Sequence, residues 1–493
     1  MASTVRRRRR SSYNSTPAWL SPRRLVLGSV LLVVAIVGVY ATRVVLSLSS
    51  LFHESPASVV RSLLPGGHGN SDIAAKFAAG QRINIALYGY GGDGHSGALL
   101  SDSIMVVSIQ SRGQGQKPQI AEIGIPRDWW VPIDLGGGHN AFGRINEAYE
   151  AGQSGVPFKS SVYTGDHGGG AMADATLERM LGIHIDHFIG MDFTAFKSAV
   201  DAVGGVDVNV EHTFTDTMYP RGECAGPTPD CAYTTIHFDA GMQHMDGARA
   251  LIFARSREST DPQEGSNFAR NKRQQLVLTA VKQKVLSVGG LRNLPDLLGA
   301  LGDHVIMDLS LDDALSLYDV VKDVDPATIE HVSIDDSNFI YECGYPTNCD
   351  SAIEYPYDRT FASIHHYVTS MFVDPAVVAE PVPISVVDSS GRKRDASQRW
   401  TALLANLGLR TSDGHAGKLS STTHVIDATG GRGSRTAAWL AAYFGVTVET
   451  PAPGATTAPA ATTTAPATGI TVILGQDEER SFNNPSAGLY AGH

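Results

Sequence analysis

Apolar residues fall into three rhythms along the chain. The first is Leu25–Ala41, LVLGSVLLVVAIVGVYA, a run without a charge, and after Arg43 more apolar residues follow to Leu48. At about 1.5 Å rise per residue, a helix here covers the roughly 30 Å hydrocarbon core of a bilayer, with Arg43 reaching to the interface. Ser49–Gly80 carries Pro56, Pro65, Gly66, Gly67 and Gly69 and reads as a spacer. The second rhythm is alternation. Ile83, Ile85 and Leu87 recur at period two within Arg82–Gly89, which predicts a strand. Strands are also expected near 103–110, 119–125 and 206–210. The third rhythm is helical, over Thr176–Leu181, Phe193–Val203 and Asp312–Val321. Strands interleaved with helices predict a central sheet with helices on both faces. Leu291–Met371 is assigned to completing this unit.

A smaller α/β unit follows. Val382–Asp388 and Thr423–Asp427 read as strands, and Ala396–Leu407 and Thr436–Phe444 as helices. Pro451–Thr468 is a Thr/Ala/Pro tract without core-forming residues, after which Gly469–Gly475 returns as a strand. The expected organisation is a basic tail over 1–24, a membrane span over 25–48 and a linker over 49–80. A main domain over 81–380 and a second domain over 381–493, with the tract at 451–468, complete it.

Charge sets the orientation. Arg6 to Arg10, Arg23 and Arg24 precede Leu25 without an acidic residue, so the positive-inside rule puts the N-terminus in the cytoplasm and the bulk of the chain outside. A cleaved signal peptide is the alternative. Its apolar region would exceed the roughly 7–15 residues of that class, and no A-x-A site follows. The net charge of −11 argues against a general nucleic-acid partner. All four cysteines lie after the apolar run, as Cys224/Cys231 and Cys343/Cys349. In an oxidising compartment that spacing favours two local disulfides over zinc. His95, His139 and His167 lie in glycine-rich loops without zinc-ligand spacing.

The densest candidate chemistry is Phe238–Gln275. Asp246 before Gly247 starts a helical pattern that Arg255 and Arg257 close. A second pattern opens after Ser266 and Asn267, both good N-caps. On it Arg270, Arg273 and Gln274 fall at i, i+3 and i+4 and share one face of the first turn. Guanidinium forks beside free backbone N–H groups suit a phosphate or pyrophosphate. A solvated basic face paired with Glu258, Asp261 and Glu264 is the plainer account.

These residues also carry a resemblance. Gly241, Gln243, Met245, Asp246, Gly247, Ala250, Leu251, Phe253, Ala254, Arg255 and Arg257, then Phe268, Arg270, Arg273, Gln274 and Gln275, resemble the closing pattern of the LytR-CpsA-Psr family. Earlier blocks agree: Asn84–Gly89, Ser101–Val106, Gly124–Asp128, Ile145–Tyr149, Leu181–Phe188 and Val203–Val208. The resemblance spans roughly 81–290, and the last domain is similar to the C-terminal domain of actinobacterial members. It implies a mixed α/β/α fold. It also implies a membrane-anchored phosphotransferase that moves a glycopolymer from a polyprenyl-pyrophosphate carrier onto peptidoglycan, using Mg²⁺ or Mn²⁺. Implied catalytic residues are Asp102, Arg127, Arg255 and Arg257. The pyrophosphate would lie on Arg255, Arg257, Arg270, Arg273 and Gln274, with Asp102 or Asp128 as base. The family places a metal-holding Asp in G-x-D-x-R after its first strand, where this chain reads Gly89-Tyr90-Gly91-Gly92-Asp93. Asp93 and Asp102 are therefore the metal candidates, with Asp93 equally readable as a turn residue. Hydrolysis of the carrier, with water as acceptor, and non-catalytic lipid binding are the competing functions.

The charge asymmetry makes one prediction. A reporter fused after His493 should be active outside the cytoplasm and silent within it; the reverse pattern would overturn the N-in orientation.

Overall fold

The computed structural model describes residues 22–478 except 65, 68–70, 94–96, 114, 221–232, 262, 266, 286–293, 303, 326–327, 336–337, 344–352, 357–360, 392–395 and 452–467. Three helices open it: α1 (Pro22–Leu51), α2 (Pro56–Leu63) and α3 (Asp72–Ala78). Among the described residues no helix is long and apolar enough to cross a membrane, and side chains are described in α1 only from Val37 onward. The stretch read as a spacer is in part helical. Ser55 and Ser71 each accept a hydrogen bond from a first-turn N–H, and Val59 and Ile73 are fully buried.

The central sheet is built first from β1 (Arg82–Tyr90), β2 (Ser101–Gln110) and β3 (Gln119–Ile125). A hairpin of β4 (Trp130–Gly136) and β5 (His139–Arg144) precedes α4 (Asn146–Ser154) and α5 (Gly168–Leu181). The chain re-enters the sheet as β6 (His187–Asp192) and leaves through α6 (Phe193–Ala202), whose N-cap is Asp192. Next come β7 (Val206–Val210), β8 (Phe214–Pro220), β9 (Tyr233–Phe238) and β10 (Gly241–Met245), then α7 (Gly247–Arg255), α8 (Asn267–Val285) and α9 (Leu294–Leu301). The unit closes with β11 (Val305–Met307), α10 (Leu311–Val321), β12 (Glu330–Ser333), the pair β13 (Ile340–Cys343) and β14 (Ile353–Pro356), and α11 (Ala362–Ser370). Sheet order is β11-β6-β1-β2-β3-β12. β1 runs parallel to β6 and antiparallel to β2, and β12 runs parallel to β3, so the sheet is mixed.

The alternation in β1 is real, yet both of its faces are buried. Ala86, Tyr88 and Tyr90 pack on α4 and α5, where Tyr90 stacks on Tyr149 at 5.2 Å. On the other face Ile83, Ile85 and Ile109 pack against α3 and α10. Further along that face Leu87, Met105 and Ile189 lie in one register row, and all three line a cavity. Val206–Val210 is a strand but lies outside this sheet. It pairs with β10, and with α6, α7 and α8 it encloses a separate core around Phe238 and Phe253. That small core roofs the cavity.

After α12 (Pro375–Val378), a five-stranded sheet contains β15 (Ile384–Asp388), β16 (Thr411–Ala416), β17 (His424–Asp427), β18 (Val448–Glu449) and β19 (Ile470–Leu474), in the order β16-β15-β19-β17-β18. Its helices are α13 (Ala396–Asn406) and α14 (Ser434–Tyr443). One buried apolar cluster runs from the first sheet through Tyr367 into Trp400, Tyr443 and Phe444. The Glu380 carboxylate accepts from Arg435 N at 3.3 Å and from Thr436 N at 2.9 Å, which satisfies the start of α14. Cys224, Cys231 and Cys349 lie outside the described residues, as does the Cys343 side chain, so both expected disulfides fall there too.

Trp400 is fully buried, edge-on to Tyr443 and to Phe444 at 5.8 and 5.2 Å. Trp400→Ala should cost about 3–5 kcal/mol of unfolding free energy. Chemical denaturation checks it; a loss below about 1 kcal/mol would mean that the shared cluster does not join the two sheets energetically.

Candidate active site

β1, β3 and β6 run in one direction, so their carboxyl ends share one edge of the sheet, the usual position for ligands in open α/β sheets. A bulge there places Asp102. Gly89 pairs with Ser103 and Tyr90 with Ser101, which leaves Asp102 as the extra residue, pushed toward the edge. Arg127 follows β3 on the same edge, and its Nη1 donates to Asp102 Oδ1 at 2.7 Å. Its Nε reaches Asp128 Oδ2 at 3.3 Å, and Asp128 also faces Arg144 Nε at 3.7 Å and Arg257 Nη1 at 3.9 Å. Burial works against the charge on Arg127, but Asp102 and Asp128 outweigh it and leave the guanidinium pKa raised.

Two helix ends supply the rest. Helix α7 begins at Asp246, whose carboxylate accepts from Arg249 N at 2.7 Å, and ends at Arg255. Arg255 lies over the Phe193 ring at 4.2 Å and the Tyr219 ring at 5.8 Å, which fixes the plane of its fork. Just beyond, Asp216 Oδ2 accepts from Ser256 Oγ at 2.7 Å and from the N–H groups of Arg257 and Glu258 at 3.2 Å each. This buried carboxylate fixes the backbone from which Arg257 projects. Arg257 Nε also pairs with Glu258 at 3.3 Å. From α8, Gln274 accepts from Ser103 Oγ at 3.0 Å and donates to Ala254 O at 3.4 Å. Arg270 is 5 % exposed, and its buried Nε has no protein partner. Burial, with the like charges of Arg127 and Arg257, pulls its guanidinium down to about 10, against the opposing pull of Asp102 and Asp128.

Asp102, Arg127, Arg255, Arg257, Arg270 and Gln274 all line one cavity of about 540 Å³. Apolar side chains also line it: Leu87, Met105 and Ile189 from the sheet floor, Phe193 and Phe196 from α6, and Leu251 and Leu278 from the roof. The charged groups gather at the sheet edge and the apolar floor runs beneath the roof, so the cavity is amphipathic.

Two expected site residues do not join it. Arg273 is turned into the protein, with its side chain 3 % exposed. It donates to Phe253 O at 3.1 Å, to Ser256 O and to the Glu264 carboxylate. Its i+3 spacing from Arg270 was a sound helical inference, but the segment Ser256–Glu264 folds over that side of α8 and takes the fork. Asp93 is exposed in the turn after β1, beside residues 94–96, and does not line the cavity. Among the described residues no group of three or more His, Cys, Asp or Glu side chains could hold a metal. The apolar floor, Ser103 and Asp216 were missed; Asp192, the α6 cap, also lines the cavity and had no signal beyond a cap preceding an apolar helix.

A profile of the LytR_cpsA_psr family matches residues 66–352. The chain belongs to the LytR-CpsA-Psr family. Similar proteins include the polyisoprenyl-teichoic acid–peptidoglycan teichoic acid transferase TagU of Bacillus cereus (strain AH820), 29 % identical over 286 residues, which are 58 % of this chain and 78 % of that protein. The TagU of Bacillus mycoides (strain KBAB4) is 30 % identical over 297 residues, 60 % of this chain and 81 % of that protein. Among solved structures, that of B. subtilis TagV shares 21 % identity with a TM-score of 0.41, covering 59 % of this chain and 96 % of that one. The match over 66–352 ends before the second sheet.

Arg273, buried in the scaffold, and Arg257, just beyond α7, should separate cleanly in stability. Arg273→Ala strips a buried carboxylate of its partner and should cost about 3–5 kcal/mol. Arg257→Ala, a half-exposed pair, should cost at most about 1 kcal/mol. Denaturation midpoints of both variants beside the parent check this ordering, and a reversed order would refute the assignment of Arg273 to the scaffold.

Proposed function

We propose that the chain is a transferase of the cell envelope that takes a glycopolymer from a polyprenyl-pyrophosphate carrier and joins it to peptidoglycan as a phosphodiester. The single observation that carries this reading is the amphipathic cavity. A prenyl pyrophosphate is a dianionic head on an apolar chain, and the cavity pairs an arginine cluster with an apolar floor. The names of the relatives, transferases of teichoic acid from a polyisoprenyl form to peptidoglycan, support the reaction class.

Arg255, Arg257 and Arg270 would hold the pyrophosphate oxygens, with Arg127 beside them and Gln274 as a neutral donor. The acceptor hydroxyl, from a peptidoglycan sugar, gives its proton to Asp102 or Asp128 and attacks the phosphorus that carries the polymer. The new P–O bond forms as the bond to the carrier phosphate breaks, and the carrier leaves as polyprenyl phosphate. Its growing negative charge falls on guanidinium groups already in place, which is where most of the acceleration of phosphoryl transfer originates. No nucleophilic side chain is required. Asp102 would hold Mg²⁺ or Mn²⁺, a hard cation that takes oxygen ligands. Bound there, it would neutralise charge on the pyrophosphate. The apolar run 25–41 would keep the enzyme at the outer face of the membrane, where such a carrier presents its head.

Arg255→Ala and Asp102→Asn should each lower turnover by roughly ten- to a hundredfold or more, and Arg255→Lys should not restore it, because lysine keeps the charge and loses the fork. The assay follows Mg²⁺-dependent release of polyprenyl phosphate with a peptidoglycan acceptor, and product analysis separates transfer to sugar from hydrolysis. Parent-like turnover in both variants would reject the site.

A further inference from the structure

The last turns of α1 do not project freely from the domain. Leu51 packs with Ala195 of α6 and Val305 of β11, and Leu48 packs with Leu311 and Leu298. The chain then reverses within a few residues. Phe52 N donates to Leu48 O at 2.9 Å and Glu54 N to Ser49 O at 3.1 Å, with His53 at φ 54°, a left-handed residue closing the helix. The Glu54 carboxylate locks the bend by accepting from Ser58 Oγ at 2.8 Å and from Leu311 N at 3.0 Å.

Helix α2 therefore runs back alongside α1. Val59 shares a buried cluster with Val44, Val45 and Leu48, which sets the two helices side by side. Eight residues return about 12 Å, so the end of α2 reaches the level of Arg43, where the uncharged run of α1 ends. Val60 and Leu63 of α2 and Leu64, its C-cap, are 47, 46 and 56 % exposed. Arg43 and Arg61 are exposed on the same two helices.

We propose that the returning end of α2 sits in the headgroup–acyl boundary of an anionic bilayer, as a second membrane contact beside α1. The proposal rests on the membrane-anchor reading of α1. Its occupant follows from position: three exposed aliphatic side chains stand at the height where an anchored α1 emerges, and the two arginines beside them suit anionic headgroups. Because α1, α2, α6 and β11 are packed together, two contacts would fix the tilt of the domain, and with it the cavity walled by Phe193 and Phe196 of α6.

The test uses the full chain reconstituted in vesicles of phosphatidylcholine and phosphatidylglycerol, with photoreactive benzoylphenylalanine placed singly at Val34, Leu64 or Leu419. Leu419 is an equally exposed aliphatic residue in the second sheet unit. Lipid adducts at Val34 and Leu64 and none at Leu419 are expected. With the probe at Val60, Leu63→Glu together with Leu64→Glu should reduce the lipid adduct at least tenfold. An adduct at Val34 with none at Leu64, or cross-linking of Leu64 to protein, would overturn the second contact and leave the anchor standing. Absence of an adduct at Val34 would reject the anchor and the second contact together.

Discussion

Arg127, Arg257 and Arg270 crowd one edge of a sheet around Asp102 and Asp128, and this concentration of like charge governs the arrangement around it. Guanidinium groups cannot shed their protons to relieve the repulsion as lysines can, so the fold must hold them in place. It does so by other means at each position. Aromatic rings flank Arg255, the Asp216 carboxylate pins the backbone of Arg257, and burial in the first turn of α8 fixes Arg270. An unpartnered guanidinium N–H in a buried place costs free energy unless a ligand meets it. In the proposed function the pyrophosphate meets that N–H and the prenyl chain covers the apolar floor.

Much of this was legible in the chain. Asp246 before Gly247 announced α7, and the positions of Arg255 and Arg257 at its close followed from helical spacing. The strands of the sheet were legible because alternating Ile and Leu leave little choice of secondary structure. The apolar floor was not. Ile83, Ile85 and Leu87 are one continuous pattern, and only tertiary packing decides that the first two are core while the third lines a cavity. Arg273 failed for a related reason. Periodicity ranks faces of a helix but cannot say which loop will fold across one of them. The spacer was misread because prolines and glycines drew attention from two short helices whose Ser caps were visible.

The position of Asp93 bears on how the charge is neutralised. The family pattern puts a carboxylate immediately after the first strand; here a Gly-Gly turn intervenes, and Gly92 at φ +79 closes on the Asp192 side chain, so that a Cβ there would lie 2.9 Å from it. The turn carries Asp93 outward. Asp102, placed by a bulge and bridged to Arg127, is then the one of the two expected metal carboxylates that lies at the sheet edge and lines the cavity. A site with one such carboxylate and several guanidinium groups leans on arginine for ground-state binding. That makes fork geometry, rather than net charge, the property on which affinity depends.

The same packing joins the site to α1. Helix α6 presents Phe193 and Phe196 to the cavity and Ala195 to Leu51 of α1, so one helix is both the wall of the lipid-shaped space and the surface on which the chain leaving the apolar run is docked. A substrate whose tail stays in a bilayer can reach a buried arginine cluster only if the path between them is apolar and fixed in orientation. A flexible tether would meet the first requirement and lose the second. In the proposed function, docking of α1 would meet both, because displacement of the domain relative to the helix would have to break the small cores around Leu48 and Leu51.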